Sequence, residues 1–510
     1  MNHNPAIPVF DFLDVKSVLR YLLVFAIVLA GGTVAGEAFA LLVVAVFLFY
    51  VVSGRLFKSM EWWIIWLFCF GFYQGQLLIK TEAIAKYVAK PTFLLFLVFV
   101  VFFYKIPPQA KLSRYIISWI AFLALALLSL VYHGQSPFVL ITASAFFILF
   151  IVLRGSTLTE KNCFQLFNLF TAAAILQTIV CILQIAQIIP PSSSQMDDGT
   201  GGTFEWVAGL DDVACGTFGP VSGHIVSWYV SLMAVFFMLV WTVNRKSKYL
   251  ILAGISLLQF ATIDSKTIMG VMAAMMIYLF YYLTKNRQAF KLPARKLGSF
   301  GVTVGIMAFF LFMGWQYYYE YQNREGGAIN RSNFDQVYEA EIKKSQELIV
   351  ENIGDWGKIK GFSYVLADFI ESDPFEVFWG YSLLGYSYNN KMAYIESKDT
   401  PIMQLNNFTK SRSTFIAQFA QSGLLGFFLF MMALYLWYKF NVNIRVLNPV
   451  DLIRISLVKI FLPFTMVAAF LYNITLTSIT MVSFAAIVSL LKQYSDYIEL
   501  SKQTANNSEL

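Results

Sequence analysis

The chain has 510 residues, of which 58% are hydrophobic and only 13% charged, a composition incompatible with an ordinary soluble globule. The fold class expected from it is an all-α polytopic membrane protein. A net charge of +7 reflects membrane orientation rather than nucleic-acid binding, because the basic residues concentrate in short loops.

Apolar runs long enough for a bilayer core of ~30 Å occur at Tyr21 to Val34, Ala38 to Val52, Trp62 to Ile79, Ala83 to Tyr104, Tyr115 to Tyr132, Pro137 to Leu153 and Leu166 to Ile189. Others follow at Val221 to Val243, Tyr249 to Ile263, Thr267 to Leu283, Leu297 to Trp315, Thr414 to Phe440, Ile455 to Leu471 and Thr475 to Leu491. The first run has no small-residue cleavage site behind it and reads as a retained helix. The first pair is short and separated only by Ala35, Gly36 and Glu37, which suits a re-entrant hairpin. The expectation is therefore about 12–14 transmembrane helices with a large extracytoplasmic helical loop. Of the four cysteines, Cys69, Cys163, Cys181 and Cys215, only Cys215 falls in a sizeable extramembrane loop. Neither a disulfide framework nor a metal cluster is implied.

Basic residues mark alternate loops. Arg55 and Lys58, then Lys105, Lys111 and Arg114, then Arg154 and Lys161, then Arg245, Lys246 and Lys248, then Lys285 to Lys296 all fall on one side. That side is expected to be cytoplasmic and to hold both termini. Lys80, Lys86 and Lys90 are the exception on the other side.

The expected organisation is a set of N-terminal transmembrane helices over 1–316 with an external loop at 189–219, an extracytoplasmic cap over 317–412, C-terminal transmembrane helices over 413–492 and a cytoplasmic tail over 493–510. The external loop is rich in Gly and Ser and has five acidic groups without a Lys or Arg. In the cap, apolar Val337, Ile342, Leu348 and Ile349 predict an amphipathic helix over Asn333 to Ile353. A second helical stretch stops at the Asp373-Pro374 break, and an aromatic, glycine-rich turn follows it.

Cations at the external membrane edge are the strongest site candidates. Lys266 stands where one span emerges and the next begins, and Lys410 and Arg412 where the cap re-enters. Such cations commonly snorkel to lipid headgroups; they would equally hold a pyrophosphate, for which Arg supplies a bidentate fork. His224, in GTFGPVSGHIVSWY, is a candidate base or a hydrogen-bonded structural residue. Asp197-Asp198 and Asp211-Asp212 read as a metal or base site or as solvated loop acids, and Trp315 to Tyr319 as a sugar-stacking surface or an interfacial belt. The sequence has no Walker loop, dinucleotide fingerprint or HExxH motif.

Several of these elements occur in the order found in one family. A glycine-aromatic element opens a span (GTFGPVSGHIVSWY), Asp264-Ser265-Lys266-Thr267 forms a corner between two spans, and the cap carries KGFSYVLADFIESDPFEVFWGYSLLG, with Lys360, Pro374, Gly380 and Gly385. The cap then re-enters through Arg412-Ser413 to Gln421-Ser422-Gly423 and Gly426. In these features the chain resembles the O-antigen ligase and polymerase superfamily, membrane glycosyltransferases of the GT-C type. Arg412 stands where the ligases have His, and the element near Gly216 lacks an Arg that many members place before it.

The resemblance implies a polymerase that joins undecaprenyl-pyrophosphate-linked oligosaccharide repeat units into a surface polysaccharide, on the outer face of a bacterial cytoplasmic membrane. It implies that Arg412, Lys266 and Lys360 hold the pyrophosphate, that no cofactor or metal takes part, and that His224 is a candidate base. The implied partners are lipid-linked oligosaccharides, membrane lipids, and chain-length regulator and flippase proteins, with no nucleic acid. Two alternatives stay open: a ligase moving glycan from the same carrier to lipid A core or protein, and a polysaccharide transporter or flippase.

Overall fold

The computed structural model describes residues 10–27, 113–133, 159–185, 193–197, 203–207, 216–217, 223–258, 266–293, 375–380, 414–471 and 479–508, with isolated positions between them. Residues 15–27 form helix α1. Asp14 caps it, its carboxylate accepting the backbone N–H groups of Lys16 and Ser17, both at 3.2 Å, and the Ser17 hydroxyl, which provides partners for donors the helix cannot satisfy itself. Val15, Leu19, Leu23 and Ile27, four residues apart, form an exposed apolar stripe, while Val18, Tyr21 and Phe25 are buried.

The other helices set out among the described residues are α2 (Arg114–Tyr132), α3 (Glu160–Ile185), α4 (Gly223–Asn244), α5 (Ser247–Leu258), α6 (Lys266–Lys285), the single turn α7 (Glu376–Trp379), α8 (Thr414–Val442), α9 (Pro449–Leu471) and α10 (Ile479–Ser508). Six of them, α2, α3, α4, α6, α8 and α9, are long and apolar enough to cross a membrane. The chain is thus an all-α polytopic membrane protein, with one small exception. In the 189–219 loop, read from sequence as merely Gly- and Ser-rich, β1 (Ser193–Asp197) and β2 (Thr203–Val207) pair antiparallel, Ser193 opposite Val207 and Asp197 opposite Thr203.

Helix α4 is the central pillar. It is apolar on every side and packs against α3, α5, α6, α9 and α10, so almost every residue from Val226 to Val240 is fully buried, as an all-round apolar helix requires. Trp228 stacks on Phe461 of α9 and donates its indole N–H to the Thr465 hydroxyl at 3.0 Å. Beside this contact, Pro463 sits inside α9. Helices α2 and α8 form an antiparallel pair at the side, with Tyr115 against Phe440, Phe122 against Phe430, and the Ser118 hydroxyl donating to the Leu429 carbonyl.

The expected start of the span at Ile455 falls six residues late. Asn448 caps α9 through the backbone N–H groups of Val450 and Asp451, Pro449 takes the first helical position, and Asp451 reaches back to the Leu447 N–H. This arrangement tolerates the polar Asp451 and Arg454, which interrupt the apolar run. Likewise α10 continues past the apolar run that ends at Leu491, reaching Ser508.

One end of the bundle gathers the N-terminal segment and the basic loops. Phe10 and Phe12 insert among Phe167, Phe236, Tyr249 and Tyr494. Between them Asp11 pairs with Lys246 and with Lys248 (2.7 Å) and accepts the Tyr249 hydroxyl at 2.9 Å. Asn168 and Asn244 donate to the carbonyls of Phe12 and Phe10. Arg245 donates to the carbonyls of Phe290 and Lys291; both Arg245 (φ 63°) and Lys291 (φ 48°) are left-handed, a conformation uncommon for such residues and here held by that bond.

Candidate functional site

The opposite end is built from glycines and amides. Gln177 and Gln184, seven residues apart on α3, share one face of the helix and clamp the Gly216-Thr217 backbone. Gln177 accepts the Thr217 N–H at 2.9 Å and donates to its hydroxyl at 2.6 Å; Gln184 accepts the Gly216 N–H at 2.9 Å and donates to its carbonyl at 3.1 Å. Gly216 is left-handed (φ 60°), and a Cβ there would lie 2.2 Å from the Gln177 Oε1. The clamp therefore fixes the glycine-aromatic element at a position that only glycine fills. Helix α4 begins just after it, with His224 in its first turn.

The second feature lies where the single turn α7 meets α8. Helix α8 is broken at Gly423 (φ 64°, ψ −173°), and the single turn α7 ends at Gly380 (φ 69°, ψ −173°). Both lie in a region of backbone space essentially reserved for glycine. They lie there against each other: a Cβ on Gly380 would meet the Gly423 nitrogen at 2.5 Å, and a Cβ on Gly423 would meet the Phe378 carbonyl carbon at 2.5 Å. Two main chains cross at backbone contact.

Around the crossing, α7 docks on the end of α2. Trp379 packs on Tyr132, with ring centroids 5.7 Å apart, and stacks on Phe375 of its own turn. The His133 Nε2 lies 3.5 Å from the Glu376 Oε1, both side chains about one-seventh exposed. The other ring nitrogen, Nδ1, lies 2.8 Å from the Ser129 carbonyl oxygen.

Of the residues expected to form the site, Lys266 opens α6 and His224 lies in the first turn of α4, so both backbones stand at this same end. Their side chains, together with Lys360, Arg412, Asp211-Asp212 and Trp315 to Tyr319, lie outside the described residues, as does the helix expected over Asn333 to Ile353. Arg412 precedes Thr414, the first residue of α8, by two positions. Among the described residues no three His, Cys, Asp or Glu side chains converge in a metal-binding group. Sequence reasoning overlooked the amide clamp and the His133–Glu376 pair. Two glutamines at helical spacing within an apolar run were a visible signal for the first; nothing local announces the second.

No protein family, curated protein or solved structure matches the chain.

Proposed function

We propose that the protein is a polymerase of lipid-linked oligosaccharides, acting at the end of the bundle that carries the glycine crossing. The observation that supports this reading concerns backbone geometry. Among the described residues the left-handed glycines are Gly216, Gly380 and Gly423, and all three belong to the elements in which the sequence resembles the O-antigen ligase and polymerase superfamily. The resemblance thus falls on positions whose conformation demands glycine, at one end of the molecule.

In the proposed reaction a hydroxyl of one lipid-linked unit attacks the anomeric carbon of a glycan carried on a second undecaprenyl pyrophosphate. The bond from that carbon to the phosphate oxygen breaks, and its electron pair leaves with the pyrophosphate. Lys266, Lys360 and Arg412 stabilise the charge developing on the leaving group, where fixed cations lower a barrier most. His224, at the same end, is the candidate acceptor of the hydroxyl proton. The basic end of the bundle faces the cytoplasm and the glycine end faces outward.

The break in α8 favours a second reading, transport, since carriers use discontinuous helices at their substrate sites. Here the gap is filled by the cap backbone at Gly380, and among the described helices α8 is the one with non-helical backbone inside it.

Glycan analysis of a strain lacking the protein separates these readings. Single-unit surface products are the expected result. Long chains retained on the carrier would indicate a ligase, and intermediates trapped facing the cytoplasm a flippase. Within the polymerase reading, Arg412→Ala and Lys266→Ala should each cost about 3 kcal/mol of transition-state stabilisation, roughly two orders of magnitude in rate, at near-normal protein abundance. Arg412→Lys should restore activity only in part, because the bidentate fork is lost. Normal polymer from both alanine variants would remove the cationic site from the mechanism.

A further inference from the structure

The turn that follows α6 holds positive charge on a fixed frame. It closes on its own backbone: the Asn286 N–H donates to the Tyr282 carbonyl at 3.0 Å, the Phe290 N–H to the Asn286 carbonyl at 3.2 Å, and the Leu292 N–H to the Arg287 carbonyl at 2.8 Å. Phe290 and Leu292 are buried in the core, and the Arg245 Nη2 donates to the carbonyls of Phe290 (2.7 Å) and Lys291 (3.1 Å). Among the described residues, Arg245 and Lys291 are the non-glycine positions with left-handed backbone, a strain that persists only where the surroundings impose it. On this frame Lys285, Arg287 and Lys291 stand exposed. Among the described residues no carboxylate pairs with any of the three; Asp11 pairs with Lys246 and Lys248, Asp451 with Arg454 at 3.8 Å, and Asp496 with Lys492. Arg245 adds a fourth positive charge behind the turn, and its Nη1 is buried with no hydrogen-bond partner. The surplus of charge calls for an anion and the unmet donor for an acceptor; phosphate oxygens supply both.

The position of the cluster says where that phosphate comes from. Lys285 is the last residue of a helix long and apolar enough to cross a membrane, which puts it at the level of the lipid headgroups. On the same face of α6, one and two turns back, Tyr281 is 56% exposed and Ile277 71%. The Lys285 Nζ lies 6.0 Å from the centroid of the Tyr281 ring, so the cation sits directly at the end of this apolar track. An acyl chain fits the track and a phosphate-bearing headgroup fits the cations above it, with the tyrosine at the interface between them. A soluble phosphate would use the cations and leave the track bare.

We infer that the turn after α6 is a selective site for an anionic phospholipid, whose headgroup lies against Lys285, Arg287 and Lys291 and whose acyl chain runs along Tyr281 and Ile277. A zwitterionic lipid gains less there, because its own amine already offsets its phosphate. The anionic lipid relieves the repulsion among like charges that the folded turn holds close together, and so steadies the corner that Arg245 makes between α4 and the turn. The inference stands on the basic end of the bundle alone and is independent of glycosyl transfer at the other end.

Native mass spectrometry of the full-length protein, equilibrated in detergent with equal amounts of phosphatidylglycerol and phosphatidylcholine, tests it. Phosphatidylglycerol should be retained over phosphatidylcholine by roughly tenfold or more. Lys285→Gln, Arg287→Gln and Lys291→Gln should each lower that preference by roughly fivefold, the effect of one cation near an anionic lipid surface, and the three together should remove it. Lys246→Gln takes away the same charge from a lysine already paired with Asp11 and should leave the preference nearly unchanged. Equal retention of the two lipids by the unaltered protein overturns the site. So does an equal loss in Lys246→Gln, which would make the preference a matter of net charge. Displacement of phosphatidylglycerol by inorganic phosphate, beyond that caused by chloride at the same ionic strength, would assign the cations to a soluble anion and overturn the lipid.

Discussion

The two ends of this bundle are held by different forces. At the end with the N-terminal segment, the connections are charged and redundant: Asp11 meets two lysines and a tyrosine, two asparagines grip the Phe10 and Phe12 carbonyls, and Asn448, Ser495 and Asp451 form a buried chain of hydrogen bonds. At the opposite end, the described contacts include amide to backbone, glycine to glycine, the Trp379–Tyr132 ring contact and a histidine–carboxylate pair. Redundant side-chain ties tolerate the loss of one member, because the others still hold the geometry. A crossing of two main chains has no such reserve, since nothing smaller than glycine can be placed there. The first end is built to stay assembled, and the second to bring separate segments into close approach.

The largest expected effect therefore comes from the glycine crossing. Gly423→Ala and Gly380→Ala each put a Cβ within 2.6 Å of backbone atoms that cannot rotate away, and each forces a non-glycine residue into a conformation costing roughly 1 to 3 kcal/mol by itself. Either variant should lower the thermal midpoint in detergent by more than any single charge substitution at the other end and release exchange protection in α7. An unchanged midpoint for both would mean that the two chains do not cross in contact. Next in size is Gln177→Leu. It leaves the buried Thr217 N–H without its 2.9 Å acceptor, a loss of about 1 to 3 kcal/mol, and should accelerate exchange at Thr217 and lower the midpoint measurably. Thr217→Val, which removes only a hydroxyl, should cost less than Gln177→Leu; the reverse order would assign the clamp to the side-chain bond rather than to the backbone.

How much of this was legible follows from what each feature depends on. The apolar runs for α2, α4, α6, α8 and α9 stand out because a bilayer demands about 20 consecutive apolar residues, and the ends found lie within a few residues of those expected, except at Pro449. The second half of α10 was missed because Lys492, Asp496 and Glu499 end the apolar signal without ending the helix; Lys492 and Asp496, four residues apart, pair along it. Gly380 and Gly423 were visible as motif glycines, whereas their contact joins α7 to α8 and has no local pattern. The His133–Glu376 pair is less legible still. Glu376 stands inside the quoted Lys360 to Gly385 element, but nothing in that element points to His133, and only packing α7 against α2 brings the two together. The buried amides Gln177 and Gln184 were within reach: polar groups in an apolar helix require partners, and their spacing names the face on which to look.

The smallest expected effect is the one that sharpens the contrast furthest. Asp11→Asn removes a carboxylate that pairs with two lysines, but the Lys246 side chain is 48% exposed and the Lys248 side chain 33%, so the loss is about 1 kcal/mol or less and is screened by salt. Partial burial opposes ionisation of Asp11, but the bonds from Lys246, Lys248 and Tyr249 outweigh it and hold the carboxyl below its ordinary range. A depressed carboxyl stabilises the folded state above its unfolded value, near pH 4, and that stability is lost only as pH falls through the lower folded value. Exchange at the Leu13 N–H, which donates to the Tyr249 hydroxyl at 3.2 Å, should accordingly stay protected from pH 8 down to about pH 4 and loosen below it. Asp11→Asn should remove this acid-side transition and leave exchange in α7 at the other end unchanged. If instead Leu13 exchange is unaffected by the substitution, Phe10 and Phe12 anchor the segment by burial alone, and the charges around Asp11 only decorate a tie made by aromatic packing.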